Sequence, residues 1–128
     1  MPNAERYFQR FATAGMGGTG VPVSGTAEVT LAVGSARKTV IAQAVAVFRA
    51  TGAGGNIQPR LYNISGGAAG SVGERWRASA ATAGGTLVNT TGINRPLVTD
   101  ASGNLYFSVS GDAGDTFDYE VILEQAWP

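Results

Sequence analysis

The chain of 128 residues carries nine acidic and nine basic side chains and contains neither cysteine nor histidine. That length suits one domain, and the missing residue types exclude disulfides, thiolate zinc sites and the commonest general base. The charge is uneven: all nine bases lie at or before Arg95, against three acids there, and six acids with no base follow.

Residues 1–20 read as an N-terminal arm with a glycine-rich hinge, leaving 21–128 as the main domain. Within the arm, Glu5 to Phe11 fits either a short strand or a helical turn and a half that groups Tyr7, Phe8 and Phe11. Gly15-Met-Gly-Gly-Thr-Gly20 breaks the chain. From Val23 to Val33, apolar and polar residues alternate loosely, as in a strand, and Gly34-Ser35 turns the chain.

Lys38 to Thr51 suits a strand buried on both faces, or a helix with Ile41, Ala44, Val45 and Phe48 on one stripe. Five β-branched residues (Thr39, Val40, Ile41, Val45 and Val47) favour the strand. After the Gly52–Asn56 loop, Ile57 to Ser65 is a strand whose Pro59 belongs at a sheet edge or near the strand's start. Gly66 to Gly70 is a loop, Val72 to Ala80 a strand around Trp76, and Thr86 to Asn89 a short strand. Pro96 to Thr99 then leads into a turn, Asp100-Ala-Ser-Gly103.

Two strands close the chain. In Asn104–Ser110, Leu105, Phe107 and Val109 share a face; in Thr116–Glu124, Phe117, Tyr119, Val121 and Leu123 do. Period-two alternation describes a sheet with one dry and one wet face, and the pair is expected as a hairpin. Ile122 interrupts the wet row, which implies partial cover there. About eight strands with glycine-rich turns make an all-β antiparallel sandwich or jelly roll.

Several motifs fail on physical grounds. Gly15 to Gly20 matches a dinucleotide fingerprint, but no helix starts there and no acid follows at the needed spacing. Asn63-Ile-Ser65 and Asn89-Thr-Thr91 match glycosylation sequons, yet the N-terminus lacks a secretory pattern. Asp112, Asp115 and Asp118 do not have calcium-loop spacing. Glu120 and Glu124 sit on one strand face but show no cleft of glycosidase type. A serine or threonine nucleophile would have only Lys38 to activate it. We therefore expect no enzyme activity, no cofactor, no metal and no small-molecule substrate. No apolar run is long enough to span a membrane. Arg75-Trp76-Arg77 pairs bases with an aromatic, although strand alternation alone gives a tryptophan flanked by outward arginines, so no nucleic acid is expected.

The supply of large core side chains is thin, since 19 residues are glycine and much of the apolar share is alanine. Oligomerisation, or docking on a larger body, would then supply part of the stability. The charge asymmetry has two readings. The acidic last strand lies beside an arginine-bearing neighbour, or two oppositely charged ends meet in adjacent subunits.

With its aromatic-arginine arm Arg6-Tyr-Phe-Gln-Arg-Phe11, its Gly/Ala/Thr-rich strands and its close Asp118-Tyr-Glu-Val-Ile-Leu-Glu-Gln-Ala-Trp127, the chain resembles the jelly-roll decoration, or cementing, proteins of tailed-phage capsids. The resemblance implies a non-enzymatic homo-oligomer on the capsid exterior. It would be made in the host cytoplasm and bound to the major capsid protein at subunit seams, where it stabilises the shell. Arg6, Phe8, Arg10, Phe11 and Trp127 are then the expected contact residues. The alternative is a carbohydrate- or receptor-binding module of a phage fibre, with Tyr62, Trp76 and Tyr106 stacking on sugars.

Overall fold

A computed structural model describes residues 6–13, 23–24, 28–51, 55–65, 74–78, 80–82, 87–110 and 116–126. They form ten strands: β1 Arg6–Ala12, β2 Val23–Ser24, β3 Glu28–Ala32, β4 Thr39–Thr51, β5 Gly55–Tyr62, β6 Glu74–Arg77, β7 Ala80–Thr82, β8 Leu87–Val98, β9 Asn104–Ser110 and β10 Thr116–Ala126. Two antiparallel sheets result. One has the order β1-β10-β4-β8 and the other β3-β9-β5-β6, with the short β2 and β7 pairing to β10 and β5.

Setting those two short strands aside, the first long strand pairs with the last, the second with the seventh, the third with the sixth and the fourth with the fifth. A chain folded in half and then wound into two sheets is a jelly roll. The all-β expectation holds, and β4 is a strand.

The expected closing hairpin is not formed. β9 pairs with β3 and β5, whereas β10 pairs with β1, β2 and β4, so the two strands lie in opposite sheets. Their apolar faces meet instead. Leu105, Phe107 and Val109 oppose Phe117, Tyr119, Val121 and Leu123 in one buried cluster, and the Phe107 and Tyr119 rings are 5.0 Å apart. Alternation identified both dry faces; it could not say whether they lie side by side or face to face.

β4 explains its own ambiguity. Val40 and Ala42 are buried, and so are Val45, Val47 and Arg49. The inward parity therefore changes in mid-strand. The pairing with β10 and β8 skips Gln43, a β-bulge, and one extra residue shifts every later side chain to the other face. Opposite it, β8 bulges through residues 92–94, where Asn94 takes a φ of 52°. β8 also joins into one long strand what the sequence divides into two short pieces.

Pro59 lies inside a central strand, paired on one side with Val109. A residue's N–H and C=O point to the same side in an antiparallel ladder, and the Pro59 carbonyl accepts from Ala78 N at 3.1 Å. The missing N–H therefore faces the interruption between β6 and β7 and costs no bond to β9.

At one end of the sandwich two turns lock together. Asp100 Oδ1 accepts from Ser102 N and Asn104 N at 2.8 and 2.9 Å, Gly103 N closes the turn on Asp100 O, and the Tyr106 hydroxyl donates to Asp100 Oδ2. Thr99, itself buried, bridges Lys38 N and Ser35 O. Gly34 N donates to Gly103 O at 3.0 Å. Gly103 has a φ of 81°, and a Cβ placed there would lie 2.8 Å from Ser35 N; Gly34, at a φ of 100°, has open space.

Gly103→Ala should therefore cost more than about 2 kcal/mol, against ~1 kcal/mol for Gly34→Ala, which bears only the left-handed strain. Chemical denaturation of both variants checks this, and equal losses would contradict the packed-turn geometry.

The hydrogen bonds to Asp100, the one from Tyr106 foremost, hold its carboxyl below the ordinary value of 3.8. A lowered folded pKa contributes stability above the unfolded pKa, and this is lost as pH falls through the folded value. Thermal melts across the acid range should thus fall more steeply for the native chain than for Asp100→Asn. The Tyr106 phenol is raised, mainly by the same bond, so its contribution is present below the ordinary tyrosine range and lost as pH rises through the folded value.

Candidate protein-binding face

Strand β1 is the edge beside β10, with Arg6 aligned to Ala126 and Ala12 to Glu120. Its parity separates two sets of side chains. Tyr7, Gln9 and Phe11 lie on the partly buried parity, while Arg6, Phe8 and Arg10 are exposed. Residues 6–12 of the expected arm are thus a sheet strand; the glycine-rich hinge lies outside the described residues.

Inward bonds fix the register of this edge. Thr13 Oγ1 donates to Asp118 Oδ1 at 2.8 Å and accepts from Tyr119 N at 3.1 Å, with Thr13 fully buried. The buried Gln125 amide donates to Gln9 Oε1, and Gln9 Nε2 reaches Ala32 O on the facing sheet at 3.4 Å. Buried polar groups paired in this way favour one alignment over its slips, although Gln125 Oε1 has no partner among the described residues.

Outward, the strand forms a short charge ladder. Arg6 Nε pairs with Glu124 Oε1 and Arg10 Nε with Glu120 Oε2, each on the diagonal between β1 and β10. Gln43 Nε2 donates to Glu124 Oε2 at 2.7 Å. Between the two arginines stands Phe8, 67% exposed. The acidic last strand does lie beside an arginine-bearing neighbour, as the first reading of the charge asymmetry has it. Glu120 and Glu124 are both engaged in these pairs.

Of the expected contact residues, Arg6, Phe8 and Arg10 share this face. Phe11 has the opposite parity and packs against the core. Trp127 lies outside the described residues, as do Asp112 and Asp115. Asp118 is buried against Thr13.

Of the expected sugar-stacking rings, Tyr62 and Tyr106 are aligned cross-strand partners on β5 and β9, whereas Trp76 is aligned with Leu61 and packs against the core. Tyr62 is 1% exposed and Tyr106 7%, so neither offers an open ring face. Just beyond β5, the Ser65 hydroxyl donates to Glu28 Oε1 on β3 at 2.9 Å. Trp76 is half-buried against the core and lines a pocket of about 330 Å³ with Arg75, Arg77 and Arg95.

Arg49 and Arg95 take positions that no sequence motif marks. Arg49 is fully buried, with its guanidinium 5.7 Å from the Phe117 ring centroid. Its inward parity arises only because of the Gln43 bulge. Arg95 comes from the edge of the other sheet, and no spacing rule joins it to Trp76.

No known protein family matches this chain, and no curated protein matches it. The class that the coordinates define is the jelly-roll β-sandwich, and a fold hosts many functions.

Because Phe8 makes little internal contact, Phe8→Ala should change stability by no more than about 0.5 kcal/mol. A double-mutant cycle on Arg10 and Glu120 should give a coupling of roughly 0.2–1 kcal/mol that shrinks with added salt. A large loss at Phe8 in urea melts would show that the ring serves the fold.

Proposed function

We propose that this is a non-enzymatic structural protein of a virion that binds the outer surface of a phage capsid at subunit seams, against the major capsid protein, and stabilises the shell. The observation that carries this reading is Phe8, a large ring held in water between two arginines on a regular sheet face. Aromatic and arginine side chains are the residues enriched where protein partners anchor. The Arg–Glu pairs restrain both guanidiniums before any partner arrives, which lowers the entropy cost of docking. Jelly rolls serve in viral capsids and in lectins alike, so the fold is compatible with the reading and does not decide it.

Shell reinforcement follows from multiplicity. A modest contact repeated over a closed surface resists rupture more than one copy's affinity suggests. The same flat face, or an end strand, would serve a homo-oligomer.

Purified protein should co-sediment with intact particles. Phe8→Asp, at a position 67% exposed and in protein shown by its melt to be folded, should weaken that binding roughly 30-fold, the equivalent of a hot-spot loss of about 2 kcal/mol. Particles stripped of the protein should rupture at lower temperature than decorated ones. Equal rupture temperatures, or full binding by Phe8→Asp, would sink the proposal.

A further inference from the structure

The charge asymmetry of the chain is only partly consumed inside the fold. Each acidic side chain that the structure describes already has an internal partner: Glu28 with Ser65, Asp100 with Tyr106 and its turn, Asp118 with Thr13, Glu120 with Arg10 and Glu124 with Arg6. The arginines are not all used. Arg75, Arg77 and Arg95 converge on the pocket beside Trp76, and among the described residues neither Arg75 nor Arg95 has an ion pair.

The place is set by the topology. β6 ends the path of one sheet, opposite β3, and β8 ends that of the other, opposite β1. Arg95 Nε donates to the Arg75 backbone carbonyl at 3.0 Å, which links the two edges and orients the Arg95 guanidinium beside the pocket. Trp76 is aligned with Leu61 on β5 and has its indole partly in the core. What remains of the ring forms an apolar flank to a cationic hollow.

We infer that this hollow is a binding site for an acidic saccharide unit, a pyranose carrying a carboxylate. Guanidinium groups present planar donor forks that match a carboxylate, and an indole face takes the C–H surface of a sugar ring. A volume of about 330 Å³ stands at the small end of ligand pockets, room for one ring unit and not a long polymer. Extended single-stranded nucleic acid calls for a charged groove along several nucleotides, and the chain as a whole is neutral. The site is independent of the docking face. β1 and β8 are at opposite ends of the four-strand path of their sheet, roughly 14 Å apart at the usual strand spacing.

The test is an NMR titration of the full chain with sodium glucuronate, with glucose, with inorganic phosphate and with a single-stranded oligonucleotide. Glucuronate should bind saturably in the millimolar range and shift the Trp76 indole N–H, assigned through Trp76→Phe. Glucose and phosphate should each bind at least tenfold more weakly. Arg95→Gln and Arg75→Gln should each weaken glucuronate binding about tenfold while leaving the melting temperature near native, since both side chains are exposed. Phe8→Ala should leave it unchanged, so a failure here is separate from a failure of capsid docking. Absence of glucuronate binding would overturn the assignment, as would phosphate or glucose binding as tightly as glucuronate. Tighter binding of the oligonucleotide, lost in the same variants, would overturn it in favour of a nucleic-acid contact.

Discussion

The packing of β9 against β10 across the sandwich is the constraint from which the rest of the fold follows. Once these two strands face one another, with Phe107 on Tyr119, they cannot be neighbours in a sheet. β9 must find β3 and β5, and β10 must find β1 and β4. The pairings then nest, each strand of the first half meeting its counterpart in the second. The outermost pair joins residues near the two ends, Arg6 to Ala126. Such contacts close only after long loops have been ordered, so the apolar seam has to offset that entropy before the edges zip.

That order of events explains the division of labour on β1. Its surface ion pairs contribute little to stability, because exposed charges are well solvated. Its alignment rests on the buried set, Thr13 with Asp118 and Gln9 with Gln125. A one-residue slip would bury Arg6, Phe8 and Arg10 and expose Tyr7, Gln9 and Phe11. The outer ladder is therefore free to be shaped by something other than folding.

The fold class was legible because period-two alternation is a local property, and β9 and β10 carry it plainly. Pairing partners were not legible, since a dry face looks the same whether its neighbour lies beside or opposite. The helix-or-strand conflict over residues 38–51 came from the Gln43 bulge, which splices two phases of one strand and imitates a helical stripe. Tyr106 was assigned to a wet face by parity, yet it is only 7% exposed and its hydroxyl is bonded to Asp100. Local pattern gives the direction of a side chain; only tertiary structure gives what lies over it.

The surface sites divide along the same line. Arg6, Phe8 and Arg10 could be found together because alternate residues of one strand share a face; Phe11 belongs to the same expected contact set, but strand parity turns it to the core. Arg75 and Arg77 flank Trp76 by the same parity. Arg95 is beyond any such rule, since it reaches them only because the end strands of two sheets meet. The uneven charge of the sequence thus has a spatial resolution in two parts. On one edge basic and acidic residues cancel in pairs around an exposed ring; on the other, arginines gather where the acids described here are all committed elsewhere. A neutral chain can in this way keep one locally cationic hollow, because net charge constrains the sum over the surface and not its distribution.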